Sequence, residues 1–287
     1  MSVAPFERVA VAGAGTMGRG IAQAAALAGY AVVLYDVSPG VLDNALQQIH
    51  ASIDRGLSLN KVSELQAQRA GEALVTTSEL ADFATADLII EVVPEDLALK
   101  RNLFMQLDDL AAEDAIFASN TSSLSINVLA GTVQRSGRFL GMHFFNPAHV
   151  MKLVEVIAAD DTDGEVIEMA VAFVRSLGKT PVRCKDTPAF IVNRVARPFY
   201  GEAFRLLGEG VAEVAAIDEL MRSIGFRMGP FELIDLVGCD VNFAVTKSVY
   251  EAYFHDPKYR PHPIQQRMVE SGRLGRKSGR GFYDYDD

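Results

Sequence analysis

Cysteine is scarce in this 287-residue chain: two residues, Cys184 and Cys239, stand far apart and form no CxxC pair. That scarcity excludes a disulfide framework and a thiolate metal cluster, and it fits a reducing compartment. Basic charge is short as well, with 27 Lys and Arg against 37 Asp and Glu and a formal charge of −10. An acidic surface repels phosphate, so no nucleic acid and no anionic membrane is expected as a general partner, and an anionic substrate needs a local basic patch. No run approaches the ~20 apolar residues of a membrane span. The opening MSVAPFERVAVAG lacks a basic region ahead of a long apolar stretch. The chain is therefore expected to be soluble and cytoplasmic. It carries no internal repeat and no low-complexity tract.

What is present reads as two domains, since the length exceeds that of a usual single domain. Residues 8–12 (RVAVA) form a β-branched run, a glycine-rich turn follows, and IAQAAALAG has helical composition ending at Gly29. AVVLYD then reads as a second buried strand, completing a βαβ unit. The stretch from Ser38 to Thr77 is too long for one crossover helix, and its Leu and Ala spacing predicts a helical hairpin broken near Gly56 to Lys61. Further strands are expected at 87–93, 115–119, 138–143 and 152–158, the last two close enough to pair antiparallel. After TPVRC the pattern turns helical, at about 188–207, 213–224, 230–236 and 240–254. Thr187 is expected to cap the first of these helices, with Pro188 in its first turn, and Pro198 to kink it. The fold expected is an α/β Rossmann-like doubly wound sheet over residues 1–185, with the helical hairpin as an insertion, followed by an all-α domain over 186–287.

Gly13, Gly15 and Gly18 make GAGTMG, a GxGxxG lying between strand and helix. Gly13 permits the tight turn, Gly15 the approach of a pyrophosphate to the backbone, and Gly18 close helix packing. Thr16 and Met17 then supply N–H groups at the helix N-terminus, where anions bind. Such a motif alone is equally an ordinary turn. Asp36, at the end of the second strand, adds a carboxylate suited to ribose hydroxyls and repulsive to a 2′-phosphate, so the cofactor expected is NAD rather than NADP.

Three further segments carry polar groups where chemistry needs them. SNTSSLSI at 119–126 follows a strand directly, although by itself it reads equally as a loop capping the next helix. His143 closes a strand in GMHFFNP, and Glu155 interrupts the otherwise apolar LVEVI. A buried carboxylate needs a partner. Across a short turn His143 is within reach, and a carboxylate there would set the imidazole tautomer and stabilise the imidazolium formed on proton abstraction. The alternative is an edge-strand glutamate facing water. Asn193 lies on an apolar helix stripe with Ala189, Ala196 and Tyr200, which suits either a cleft-facing amide or a helix-interface hydrogen bond. No metal site is expected.

Taken together, GAGTMGRGIAQ, VLYD, EVVPEDLALKRNLF, SNTSSLSI, GMHFFNP, TPAFIVNRV, RMGPFELIDLVG and GRKSGRGFYDY resemble the L-3-hydroxyacyl-CoA dehydrogenase family, close to its bacterial short-chain 3-hydroxybutyryl-CoA members, nearly end to end. The resemblance implies that His143 is the base, with Glu155 its acidic partner, and that Ser122 and Asn193 orient the substrate. It implies Asp36 at the adenosine ribose, with Glu95, Lys100 and Asn146 nearer the nicotinamide; Glu95 and Lys100 read equally as a solvated pair at a helix start. It also implies an acyl-CoA substrate whose phosphates meet a basic residue of the hairpin, either Arg55 or Lys61, and a homodimer formed through the C-terminal domain. Two other readings stay open. One is a dehydrogenase of free hydroxy or sugar acids, of the gulonate dehydrogenase kind, and the other a non-catalytic dinucleotide-binding protein. Arg55 and Lys61 argue against the first, His143 and Glu155 against the second.

Overall fold

Short β-branched runs alternate with alanine- and leucine-rich helices through the first two thirds of the chain, and this alternation builds a parallel sheet. The computed structural model describes residues 6–285, and the chain divides into two units, the first ending at Thr187 and the second beginning at Pro188. In the first unit the elements run β1 (Arg8–Ala12), α1 (Thr16–Leu27), β2 (Ala31–Tyr35), α2 (Pro39–Ser58), α3 (Glu64–Ala73), β3 (Leu74–Thr77), β4 (Leu88–Glu91), α4 (Leu97–Leu110), β5 (Ile116–Ser119), α5 (Ile126–Ala130), β6 (Phe139–Phe144), β7 (Leu153–Ala158), α6 (Gly164–Ser176) and β8 (Thr180–Lys185). The strands form one eight-stranded sheet in the order β3-β2-β1-β4-β5-β6-β7-β8. All neighbouring pairs are parallel except β6 and β7.

This is the doubly wound order in which the chain reverses direction across the sheet between β1 and β4. Ligands bind at such a switch point, beyond the strand carboxyl ends. Helix α1 packs Ile21, Ala22, Ala25 and Ala26 into the core and ends at Gly29, whose φ of +95° gives the left-handed stop that a Cβ disfavours.

The hairpin is α2 and α3, joined across 59–63, and Ser63 and Gln66 form a reciprocal capping box at the start of α3. Leu42, Ala45, Ile49, Ile53 and Ala70 join the core containing α1, so the hairpin is anchored by burial of its apolar stripe. Two strands were not predicted from the sequence, and both lie at the edges of the sheet: Thr180–Lys185 pairs with β7, and Leu74–Thr77 pairs with β2. The residues of both are exposed or half-buried, and an edge strand of this kind lacks the apolar run that marks a buried one.

The second unit is helical: α7 (Val192–Gly208), α8 (Val214–Ser223), α9 (Pro230–Val237), α10 (Cys239–Ala252) and α11 (Pro263–Glu270). Its core gathers Tyr200, Phe204, Ile217, Phe231, Ile234 and Met268. The first helix does not start at Thr187 and Pro188 as expected. Ala189 (φ 66°) and Phe190 (φ 48°) take left-handed backbone, which a right-handed helix cannot include, so α7 begins at Val192 and then continues unbroken through Pro198.

The closing segment is held by two buried carboxylates. Asp235 accepts from the backbone N–H groups of Phe282 and Tyr283 and from the Tyr285 hydroxyl, each at 3.0 Å. Asp218 accepts from Phe231 N at 2.9 Å, Glu232 N at 2.9 Å and Tyr283 Oη at 2.8 Å. A Cβ on Gly281 would lie 2.1 Å from Asp235 Oδ1, which explains why GRGFYDY needs glycine there.

Candidate active site

At the switch point the loops after β1 and β4 touch. Gly13 has φ +112°, and a Cβ on it would lie 2.8 Å from the carbonyl oxygen of Val92. A Cβ on Gly18 would lie 1.7 Å from the Gly13 carbonyl oxygen. Gly15 differs, because its Cβ would meet nothing within 4 Å. The first and third glycines are thus required by the protein's own backbone, whereas the second faces open space at the N-terminus of α1, with Thr16 exposed beside it and Met17 half-buried. The Asp36 carboxylate accepts from Ala14 N at 3.0 Å and Ser38 N at 3.1 Å, holding the loop against the end of β2. An open backbone cradle, a helix N-terminus and a half-buried carboxylate fit a dinucleotide with free ribose hydroxyls.

The second cluster lies on β6 and β7. Antiparallel register sets His143 opposite Glu155, and His143 Nδ1 lies 2.7 Å from Glu155 Oε2. Both residues are buried, His143 to 6% exposure and Glu155 to 0%. The Phe145 ring tilts against the imidazole at 4.5 Å. Beyond β6, the Lys179 ammonium donates to the carbonyl oxygens of Ala148 (2.6 Å) and Met151 (2.7 Å), pinning the turn that follows Asn146. On β8, Cys184 has its thiol pushed up to about 12 by burial and by the charges of Glu155 and Asp186. A thiol held protonated is no nucleophile.

A third cluster joins α4 to the 119–125 segment. Lys100 is 1% exposed, and its ammonium meets Glu91 Oε1 at 2.6 Å and Glu95 Oε2 at 3.3 Å. Glu91 Oε2 accepts from Ser119 Oγ at 2.6 Å. Glu95 Oε1 accepts from Thr121 Oγ1 (2.6 Å), Ser123 Oγ (2.9 Å) and Ser122 N (3.0 Å). Burial raises the Glu91 carboxyl above the usual range against the pull of Lys100. At Glu95 burial also acts upward, but Lys100 and the donors of the serine turn outweigh it and hold the group below the ordinary value.

The Lys100 ammonium is buried between two carboxylates and holds Glu95, and through it the turn carrying Ser122; it is not half of a solvated pair at a helix start. Glu91 was missed in the sequence, and Ser119 and Thr121 entered it only as members of the segment 119–126. Glu91 carried a usable signal, a carboxylate in the apolar run DLIIEVV, the same anomaly that marks Glu155.

A cavity of about 390 Å³ in the first unit is lined by Thr16, Arg19, Ser52, Arg55, Asn146 and His149 among others. It brings together Thr16 and Asn146, expected at the cofactor, and Arg55, expected at the substrate phosphates. Lys61 is not part of this wall and is exposed in the turn between α2 and α3. Asn193 lies in the second unit, half-buried in the first turn of α7. Among the described residues no group of three or more His, Cys, Asp or Glu could hold a metal ion, and no helix is long and apolar enough to cross a membrane.

Residues 8–187 match the family model described as "3-hydroxyacyl-CoA dehydrogenase, NAD binding domain", and residues 190–285 match "3-hydroxyacyl-CoA dehydrogenase, C-terminal domain". The chain is 46% identical, over 97% of its length, to the 3-hydroxyadipyl-CoA dehydrogenase of Escherichia coli (strain K12), and spans 59% of that relative's length. It is 43% identical to a 3-hydroxybutyryl-CoA dehydrogenase of Bradyrhizobium diazoefficiens, covering 98% of this chain and 96% of the relative. The crystal structure of an (S)-3-hydroxybutyryl-CoA dehydrogenase from Ralstonia eutropha superimposes with a TM-score of 0.94 at 40% identity, covering 98% of this chain and 100% of that one.

Proposed function

The chain belongs to the 3-hydroxyacyl-CoA dehydrogenase family, and from that premise we propose that it interconverts an (S)-3-hydroxyacyl-CoA and the 3-oxoacyl-CoA, with His143 as general base. The observation that carries this reading is the buried His143–Glu155 pair at 2.7 Å. A carboxylate on Nδ1 favours the tautomer protonated there, which makes Nε2 the basic nitrogen. Nε2 takes the proton of the substrate 3-hydroxyl as the carbon–oxygen double bond forms, and Glu155 stabilises the imidazolium that results. When bound, the nicotinamide supplies the acceptor for the hydride leaving the same carbon.

The residues that would hold NAD are Gly13, Gly15, Thr16, Met17 and Gly18 at the phosphates, Asp36 at the ribose, and Glu95, Lys100 and Asn146 nearer the nicotinamide, Lys100 also bracing Glu95 and the serine turn. Ser122, and Asn193 from the second unit, would orient the reacting oxygens or thioester. Arg55 is favoured over Lys61 as the contact to the CoA phosphates, because it lines the cavity shared with Thr16 and Asn146, and guanidinium binds phosphate bidentately. The first unit is then the NAD-binding domain and the second the substrate and dimerisation domain. Val195, Leu220, Ile224 and Leu236 of the second unit are exposed apolar side chains, which supports a homodimer through that unit; light scattering reads the mass directly.

Initial rates of NAD reduction with (S)-3-hydroxybutyryl-CoA test the activity. Turnover of L-gulonate with none of the CoA ester would reject it.

A further inference from the structure

Three basic side chains meet in the first unit with no anion among them. Arg19 on α1, Arg55 on α2 and His149 in the turn after β6 line the same cavity of about 390 Å³, whose wall includes no Asp or Glu. Among the described residues none of the three side chains forms an ion pair. The chain as a whole has a formal charge of −10, so such a gathering runs against its average. Close packing brings the three together. Gln23, one turn after Arg19, donates through Nε2 to Ser52 Oγ at 2.9 Å and ties α1 to α2 on the helix face that carries Arg55. A Cβ on Gly20 would lie 3.2 Å from the Ala148 Cβ and 3.4 Å from His149 N, so glycine there lets the turn rest directly on α1 beside Arg19. The two hydrogen bonds from Lys179 to the carbonyl oxygens of Ala148 and Met151 hold it in place. Partial burial and the charges of Lys179 and Arg19 keep the His149 imidazole below its ordinary pKa. The recess is electropositive.

Basic groups gathered in a recess, with no carboxylate to neutralise them, focus positive potential and suit a phosphate, which guanidinium groups bind through paired hydrogen bonds. We propose that Arg19, Arg55 and His149 form one cradle for the 3′-phosphate of coenzyme A, with Arg19 and His149 as substrate-binding residues alongside Arg55. This rests on the proposed function, in which Arg55 meets a CoA phosphate. Of the phosphates in a CoA ester only the 3′-phosphate is a monoester, carrying close to two charges at neutral pH, whereas each phosphate of the diphosphate bridge carries one. Two guanidinium groups and an imidazole match the monoester better. The cavity wall also includes Thr16 at the start of α1, which makes the NAD diphosphate the competing occupant.

The full-length protein is assayed with (S)-3-hydroxybutyryl-CoA and with the same ester of 3′-dephospho-CoA. The expected result is a kcat/KM about tenfold or more higher for the phosphorylated ester, the usual scale for hydrogen bonds to a charged group, with the difference in KM rather than kcat. Arg19→Gln and His149→Asn should each shrink that ratio by about threefold or more, through the KM of the phosphorylated ester, and Arg19→Lys should keep part of it. A ratio near one in the unmodified protein overturns the proposal without any variant. An undiminished ratio in Arg19→Gln overturns it as well; weaker NAD binding by calorimetry in that variant would then give Arg19 to the cofactor diphosphate. An undiminished ratio in His149→Asn removes the imidazole from the cradle. Failure of the parent reading looks different, because neither ester would be oxidised.

Discussion

Glu155 stands directly opposite His143 across the antiparallel ladder of β6 and β7, with carboxylate and imidazole 2.7 Å apart and both buried. His143→Gln should lower kcat/KM by roughly 10²-fold or more. NAD affinity by calorimetry should stay within about twofold. Full turnover in this variant would remove His143 from the chemistry.

The glycines of the loop should separate by role. Gly18→Ala would force a methyl to within 1.7 Å of the Gly13 carbonyl oxygen, a backbone clash that the fold can relieve only by displacing α1. Its melting temperature should drop by several degrees, together with NAD binding. Gly15→Ala meets no protein atom within 4 Å, so it should keep the wild-type melting temperature while binding NAD at least tenfold more weakly. Wild-type NAD affinity in Gly15→Ala would show that the phosphates do not approach there.

Asp36→Ala should weaken NAD binding and narrow the preference for NAD over NADP, because the carboxylate that repels a 2′-phosphate is gone. Kinetics with both cofactors give the ratio. An unchanged ratio would refute the ribose assignment.

Lys100→Met should destabilise the first unit by ~3–5 kcal/mol, the usual cost of leaving a buried carboxylate unpaired, here Glu91 at 0% exposure. Chemical denaturation measures it. A loss below ~1 kcal/mol would mean that Glu91 is neutral or otherwise solvated.

Acid should loosen the serine turn through Glu95. Its folded-state pKa lies below the ordinary value, so its contribution is complete above about pH 4.3 and disappears as pH falls through the depressed value. Glu91, with a raised pKa, acts in the opposite sense and loses its contribution as pH rises. The Glu95→Gln variant isolates the first effect. Subtracting its melting curve from that of the unmodified protein should give a difference that shrinks below about pH 4, and a pH-independent difference would be inconsistent with the depressed carboxyl.

Most of the sheet was legible because each of its central strands is a buried apolar run. The edge strands Leu74–Thr77 and Thr180–Lys185 were not, since an element half open to water carries no such run. The start of α7 was misplaced for a related reason. Thr187 and Pro188 have the residue types of a helix start, but Ala189 and Phe190 adopt a backbone conformation that nothing in their chemistry announces.

Local order along the chain was enough for the nucleotide loop: strand, glycine turn, helix and Asp36 are successive, and their roles follow from steric limits on contiguous backbone. Glu155 could be flagged as needing a partner because a charge in an apolar run is unfavourable wherever it ends up. Which partners such groups find is another matter. The meeting of Lys100 with Glu91 and Glu95 and the grip of Asp235 on the closing segment depend on strand order, register and helix packing. Those follow from the simultaneous burial of many side chains, and no stretch of sequence contains that information by itself.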